Sequence, residues 1–525
     1  MMQHLPILQV ILPLLAAPFA ALASRRHLAW HLTLIATAGA FAISLVLLAT
    51  ILRTGTPIIY DLGGWPAPIG IVYVIDGASA FVLPVVSGIG FVATLAARHL
   101  VIAEIDARDH PLFFAAWLLT LAGMLGQVTT GDAFNIFVFL EISSLSGYAL
   151  VAMGAGRDRR ALPAAFNYLI LGTVGATFYV IGLGLLYMLT GTLNLADLSV
   201  RLAEIENLRP AYVALAFIAL GLFLKMALFP LHLWLAPAYS HAPSAVTALM
   251  AATATKVSVY VLIRILFGVF GFEFPYMTQA VGGLLLTLGL LGAFVGTFAA
   301  IVETDLKRLF AQSSIAQLGY MAIGLGIMTS AGIAASFIHL FNHALMKGAL
   351  FLALGVIAAQ TTHLSLHTIK GAGRQIPMTM TAILFGGLAL IGVPLTAGFI
   401  SKLYLIRALI DSGSWAVAAL TFVSSALALV YVWKIVEHAW LTERPENAPV
   451  LTETPGQWAP AWILVLATIG FGVYAGPLVE AAFGAAQVFG PDIMPTTQTI
   501  EGLQIIEEPQ IIEELQIIEG LEGRE

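Results

Sequence analysis

Cysteine is absent from the 525 residues. Disulfides, thiolate zinc sites and iron–sulfur clusters are therefore excluded, and any redox chemistry near this chain belongs to a partner. Charge is almost as scarce. Only 10 % of the residues are Asp, Glu, Lys or Arg, against about 25 % in a soluble domain. A soluble chain of this length needs two or more cores under a polar skin, which 52 charged residues do not supply. With 59 % hydrophobic residues and a mean hydropathy of +0.94, the chain is neither a soluble enzyme nor disordered. The formal net charge is −6 and no basic run exceeds a few residues, so no nucleic-acid partner is expected. No GxGxxG after a strand, no P-loop and no nucleophile elbow occurs, so no cofactor and no nucleotide-driven step is expected of this chain.

The acidity is local. Residues 500–525 hold eight glutamates and one arginine, and without them 22 basic residues face 21 acidic ones. Gln504, Gln510 and Gln516 each open a six-residue unit (QIIEEP, QIIEEL, QIIEGL). A period of six fits neither a strand nor a 3.6-residue helix, so 491–525 reads as a low-complexity acidic extension with no part in transport.

What is abundant is long apolar runs. A membrane-spanning helix needs about 20 mostly apolar residues. About fourteen such stretches occur, roughly 5–23, 28–52, 71–97, 111–129, 133–153, 164–190, 211–235, 243–269, 277–302, 309–330, 332–360, 376–410, 414–441 and 458–489. The expected fold is an all-α membrane protein with short loops. The first stretch lacks a preceding basic residue and reads as a retained helix rather than a signal peptide. With the N-terminus outside, one set of loops holds twelve basic residues (Arg25, Arg26, Arg98, Arg108, Arg157, Arg159, Arg160, Lys307, Arg308, Lys370, Arg374, Arg444) and the other five (Arg53, Arg201, Arg209, Arg407, Arg524). The positive-inside rule then places both termini on the periplasmic side of a bacterial inner membrane.

The seven lysines are sorted differently from the sixteen arginines. None precedes Lys225, and Lys225, Lys256, Lys347 and Lys402 lie well inside apolar stretches, whereas the arginines lie almost entirely in loops or at helix ends. Arginine stays charged, while a buried lysine can release its proton, so this sorting points to a proton or ion path. Glu141 sits mid-helix in FNIFVFLEISSLSGYAL. It reads either as a packing carboxylate held by Ser143, Ser144 or a lysine, or as a titrating partner of Lys225, and the cost of an unpaired carboxylate in lipid favours the second.

Pro230 follows Lys225 by five residues, and Pro394 precedes Lys402 by eight. Proline breaks a helix, and a charge beside a broken helix is a transporter device. The opposite order in the two segments points to an inverted repeat. Lys256 has Thr253, Thr255 and Ser258 around it, and His339, His343 and Lys347 fall on one helical face at i, i+4, i+8. A zinc site at the two histidines lacks a third ligand, so no metal is expected, and a proton relay is the preferred reading. His232, His241, Asp76, Asp132 and Glu437 are weaker candidates. Asp76 and Asp132 stand near helix starts, where capping explains them equally well. Asp305, Lys307 and Arg308 read as a loop serving capping and topology.

The segments KMALFPLHLWLAPAYSHAPSAVTALMAATATKVSVYVLIR, TDLKRLFAQSSIAQLGYM and HLFNHALMKGALFLALG resemble the antiporter-like proton-translocating subunits of respiratory complex I, membrane-bound hydrogenases and Mrp-type cation/proton antiporters. The resemblance covers about residues 70–440. It implies fourteen helices with two inverted five-helix repeats, each with one broken helix. Residues 1–110 then hold helices 1–3, 111–270 the first repeat, 271–441 the second, 442–490 the last helix and 491–525 the tail. By resemblance Glu141, Lys225, Lys256, His339, His343, Lys347 and Lys402 are the proton-translocating residues. Lysine stands at 402, as in the D-type member of the Mrp antiporters and the L- and N-type members of complex I, whereas the M-type member typically has glutamate; the long lateral extension of the L-type member is missing. The D-type member of the Mrp antiporters is therefore the preferred likeness. The alternative is the proton-pumping membrane subunit of an NADH:quinone oxidoreductase or hydrogenase. Both readings imply other membrane subunits as partners, protons as the ion moved and the lipid bilayer as surroundings, with Na⁺ a candidate for the cation that an antiporter exchanges.

Overall fold

The computed structural model describes residues 2–490 apart from 24, 25, 362 and 447. Arg25 and the whole acidic tail, including the expectation that it takes no part in transport, lie outside the described residues. Apolar runs become helices because lipid offers no partner to a backbone N–H or C=O, and a helix satisfies both within itself. The chain opens with α1 (Leu5–Ala21) and α2 (Arg26–Thr54). Strands β1 (Ile58–Asp61) and β2 (Val72–Ile75) follow, paired antiparallel with Ile58 opposite Ile75. This hairpin departs from a purely helical chain; its strands carry β-branched and aromatic residues at the edge of an apolar run.

Next come α3 (Gly77–Glu104), α4 (His110–Thr129), α5 (Ala133–Ala152) and α6 (Ala161–Thr190). A short surface helix, α7 (Leu195–Ala203), buries only Leu198 and Leu202. The first broken helix is α8 (Arg209–Met226) with α9 (Leu235–His241), and the next span is itself divided into α10 (Ser244–Ala252) and α11 (Ala254–Ile263). The second half contains α12 (Gly283–Val302), α13 (Leu306–Gly326), α14 (Ser330–Ala358), the broken pair α15 (Pro377–Ile391) and α16 (Ala397–Asp411), and α17 (Trp415–Val436). The last apolar stretch is two helices, α18 (Pro455–Val473) and α19 (Gly476–Gln487).

Among the described residues eleven helical segments are each long and apolar enough to cross a membrane, and Leu5–Ala21 and Pro377–Ile391 are apolar but shorter. The chain is an integral multi-pass membrane protein. Lys307 and Arg308 lie within α13, not in a loop before it, and Lys307 is buried with its Nζ donating to the Ala242 carbonyl at 3.0 Å. That corrects its placement in a loop.

Two backbone bridges show how the halves relate. Ala133 N–H donates to the Leu193 carbonyl and Leu195 N–H to the Gly131 carbonyl, at 2.8 and 2.9 Å. Leu306 N–H donates to the Leu364 carbonyl and Leu366 N–H to the Thr304 carbonyl, at 2.9 and 3.0 Å. Each bridge ties the start of one helix, capped by Asp132 or Asp305, to the segment after the next. The first lies at the hairpin end, where Gly131 N–H meets the Val72 carbonyl. The second lies beside Arg157 and His241, at the other end of α5. The same device at opposite ends is what two inverted copies require. Both ends of the described chain lie at the hairpin end: His4 contacts the Tyr60 hydroxyl at 3.2 Å, and Phe489 covers the Arg264 guanidinium at 5.3 Å.

Candidate functional site: a row of buried amines

The site begins where α8 stops. Ala227 takes a left-handed conformation (φ 58°), which ends the helix at Met226, one residue past Lys225. Carbonyls freed there attract a cation because they form the negative end of the helix dipole. Trp234 Nε1 satisfies the Leu224 carbonyl at 2.9 Å. Lys225, buried, turns toward α5, where Glu141, Ser144 and Tyr148 follow at i, i+3 and i+7. Its Nζ lies 3.6 Å from Glu141 Oε1 and donates to Ser144 Oγ at 2.8 Å and the Tyr148 hydroxyl at 3.3 Å. Tyr148 reaches this position over Gly172 of α6, where a Cβ would lie 1.9 Å from the phenolic oxygen.

A cavity of about 30 Å³ adjoins this pair, lined among others by Thr120, Gln127, Ser143, Ser144 and Ser258. That is room for one water, with enough polar groups to hold it. It spans from Lys225 to the helix that carries Lys256. Lys256 is fully buried beside the irregular Thr253 (φ −125°), and its Nζ donates to the Ala251 carbonyl and to Thr255 Oγ1, the latter at 3.4 Å. This break, between α10 and α11, has no proline to announce it.

Lys347, His343 and His339 rise from α14, which packs against α10, α13, α15, α16 and α18. Lys347 Nζ donates to the Phe310 carbonyl at 2.6 Å and Ser313 Oγ at 2.5 Å, both on α13. The two imidazoles lie parallel, with centroids 5.9 Å apart. Ser401 Oγ lies 3.0 Å from the Gly398 carbonyl and 2.9 Å from His339 Nδ1, so the serine and the imidazole share a hydrogen bond. His339 Nε2, both nitrogens of His343, Gln317 Oε1 and Thr421 Oγ1 have no protein partner among the described residues. Buried polar atoms are otherwise almost always paired, so these mark a wet stretch of the row.

Lys402 lies at the second break. Its Nζ donates to the carbonyls of Leu390 and Ile391 (the latter at 2.9 Å) and to Ser425 Oγ at 2.6 Å, with the Tyr320 ring 5.5 Å away. Gly392 (φ 87°) makes this approach feasible, because a Cβ there would sit 2.9 Å from Lys402 Cδ. Lys225 thus stands at the C-terminal end of α8, and the amines of Lys256 and Lys402 meet carbonyls at the C-terminal ends of α10 and α15. Only Lys225 of the row has a carboxylate within 4 Å among the described residues.

The structure brings all seven expected residues into one internal row. It adds Tyr148, Ser313, Tyr320, Ser401 and Ser425, of which spacing along α5 could have revealed the first, and it turns Ser144 from a partner of Glu141 into one of Lys225. The weaker candidates divide. Asp76 caps α3 but also forms a two-pronged pair with Arg264, at 2.5 and 2.6 Å. Arg264 is largely buried on the span that carries Lys256, so arginines are not confined to loops and helix ends. Asp132 caps α5. His232 stacks on Phe229, and Glu437 sits in a short π-helical end. His241 Nδ1 meets Asp158 Oδ2 at 3.0 Å on the wall of a cavity of about 240 Å³, at the end opposite the hairpin. There Arg160, hydrogen-bonded to Asp158, holds that carboxyl down to about 2, while burial raises Asp305.

The family model described as NADH:quinone oxidoreductase/Mrp antiporter, TM, matches residues 130–428. That span contains every member of the row, from Glu141 to Lys402. NADH-quinone oxidoreductase subunit N of Desulforudis audaxviator is 40 % identical over 85 % of this chain and 88 % of its own. The D-type subunit of the Na⁺/H⁺ antiporter of Alkalihalophilus pseudofirmus is 30 % identical over 94 % of this chain and 98 % of its own. Among solved structures, a chain of the Mrp complex from a Dietzia species matches with a TM-score of 0.85 at 26 % identity, covering 96 % of this chain and 99 % of that one. The broken helices, the buried amines and these likenesses agree, and the chain belongs to the NADH:quinone oxidoreductase/Mrp antiporter transmembrane family.

Proposed function

We propose that the chain is a membrane-embedded proton-translocating subunit of a multisubunit cation/proton antiporter, equivalent to the D-type subunit of the Mrp systems. One observation carries this reading: four lysines buried in apolar helices, linked by histidines and hydroxyls, with one carboxylate placed at one end of the row. Glu141 and Lys225 form a switchable ion pair. When the carboxylate recedes, Lys225 loses its counter-charge and its proton passes through the small polar cavity to Lys256. It continues along Lys347, His343 and His339 to Lys402, which exchanges with the opposite side. Both broken helices contribute solvated carbonyls along the way.

In this reading residues 111–270 and 271–441 are the two inverted repeats, preceded by helices 1–3 in 1–110 and followed by 442–490. Both termini are periplasmic in a bacterial inner membrane, on the basic-residue balance of the loops. The partners are other membrane subunits, and the ion carried along the row is the proton. The 40 % identity to a protein named NADH-quinone oxidoreductase subunit N favours a second reading, a proton-pumping subunit of a respiratory complex. Purifying the native complex separates them. Small hydrophobic subunits alone are expected; co-purified flavin and iron–sulfur subunits would favour the respiratory assembly. In vesicles, Lys225→Ala and Lys402→Ala should each abolish transport with assembly intact, and near-normal transport in both overturns the path.

A further inference from the structure

Lys402 is a buried amine with no carboxylate within 4 Å among the described residues, so other groups there hold its charge. The α15 helix ends at Ile391, so the carbonyls of Leu390 and Ile391 have no intrahelical donor, and both face Nζ. The third neighbour is Ser425 on α17, a helix no sequence motif singled out. Ser425 Oγ gives its only proton to the Ile391 carbonyl at 2.9 Å, so toward Lys402, at 2.6 Å, it acts as an acceptor. Three acceptors therefore converge on Nζ. A neutral amine has two N–H bonds and an ammonium three, so the cage matches the ammonium. Lys256 and Lys347 each meet two acceptors.

We infer that Ser425 is a positioning residue for proton exchange at Lys402: together with the two carbonyls freed at the α15–α16 break, it completes a three-acceptor cage that holds the ammonium where a carboxylate is missing. The inference rests on the reading of Lys402 as an exchanging group. The other titratable groups facing this region are His339, His343 and Lys347 on α14, Tyr320 on α13 and Tyr431 on α17; α15 and α18 carry none. On α16 itself stand Tyr404, Arg407 and Asp411, and the Asp411 carboxylate is exposed and turned to Arg407 at 3.7 Å. None of these is an acid that could replace the serine as counter-group at neutral pH.

The test is the pH profile of proton-coupled transport by the intact complex in vesicles. Ser425→Ala leaves one N–H of the ammonium without an acceptor, so the neutral amine gains and a higher proton concentration is needed to keep Lys402 protonated. The profile should move to lower pH by about one unit, a tenfold change in proton concentration. Ser425→Thr, which keeps the hydroxyl, should restore it. If Ser425→Ala does not assemble, Ser425→Cys carries the same expectation, since a thiol is a weak acceptor of similar shape. An unshifted profile in Ser425→Ala, or in Ser425→Cys, overturns the inference. Lys402→Ala runs alongside: loss of transport there with an unshifted serine variant overturns the cage alone, whereas transport retained in Lys402→Ala overturns both the cage and the path.

Discussion

Replacing Glu141 by Gln and Lys225 by Met, singly and together, measures the ion pair at the start of the row. At 3.6 Å an effective dielectric constant of about 20 gives an attraction of about 4–5 kcal/mol. Glu141 is 23 % exposed in its side chain, against 7 % for Lys225, so solvent screens part of it. The expected coupling is about 2–4 kcal/mol. Each single variant strands a charge, a change that typically costs about 3–5 kcal/mol. Glu141→Gln leaves Lys225 with Ser144 and Tyr148, and so should sit at the low end of that range. The double variant strands nothing and should be more stable than either single one, while transport fails in all three. Reversible unfolding of the purified protein in mixed micelles reads the stabilities, and proton uptake in vesicles reads the function. Single effects that add to within about 0.5 kcal/mol would refute the pairing.

Two further outcomes follow from local geometry. Gly392→Ala forces a left-handed alanine and brings a Cβ to 2.9 Å from Lys402 Cδ; it should cost about 1–3 kcal/mol in stability and impair transport as Lys402→Ala does, read by unfolding and vesicle assays. Asp158, held down to about 2 by its bond from Arg160, binds its proton less readily folded than unfolded. Its contribution is present above the unfolded value of about 4 and is lost as pH falls from there through about 2. The melting difference between wild type and Asp158→Asn should be flat at neutral pH and shrink below about pH 4.

How much was legible in the sequence divides along a physical line. Apolar runs and the rarity of lysine within them are composition signals, and they located the four lysines; Glu141 stood out as a carboxylate in an apolar run, and His339 and His343 through their helical spacing to Lys347. The breaks beside Lys225 and Lys402 were legible through Pro230 and Pro394. The break at Thr253 was not, because the backbone there changes course with ordinary helix residues on both sides. The acceptors at Lys256, Lys347 and Lys402 are mostly carbonyls, which every residue has, so no residue type betrays them. Ser425 lies 23 positions from Lys402, and Asp76 lies 188 from Arg264. Such pairs exist only once the helices have packed. The hairpin at Ile58–Asp61 and Val72–Ile75 was hidden for a related reason: its strands are four residues each, too short for alternation to stand out beside a long apolar helix.

The row as a whole is tested most directly at its middle, where Lys347 touches neither break and, among the described residues, no carboxylate. Lys347→Met keeps the length and apolar body of the side chain but removes the amine that binds Phe310 and Ser313. Proton flux into proteoliposomes containing the assembled complex should fall to the level of protein-free vesicles. Flux at the wild-type rate, with Lys225 and Lys402 intact, would contradict a path that runs through the buried amines.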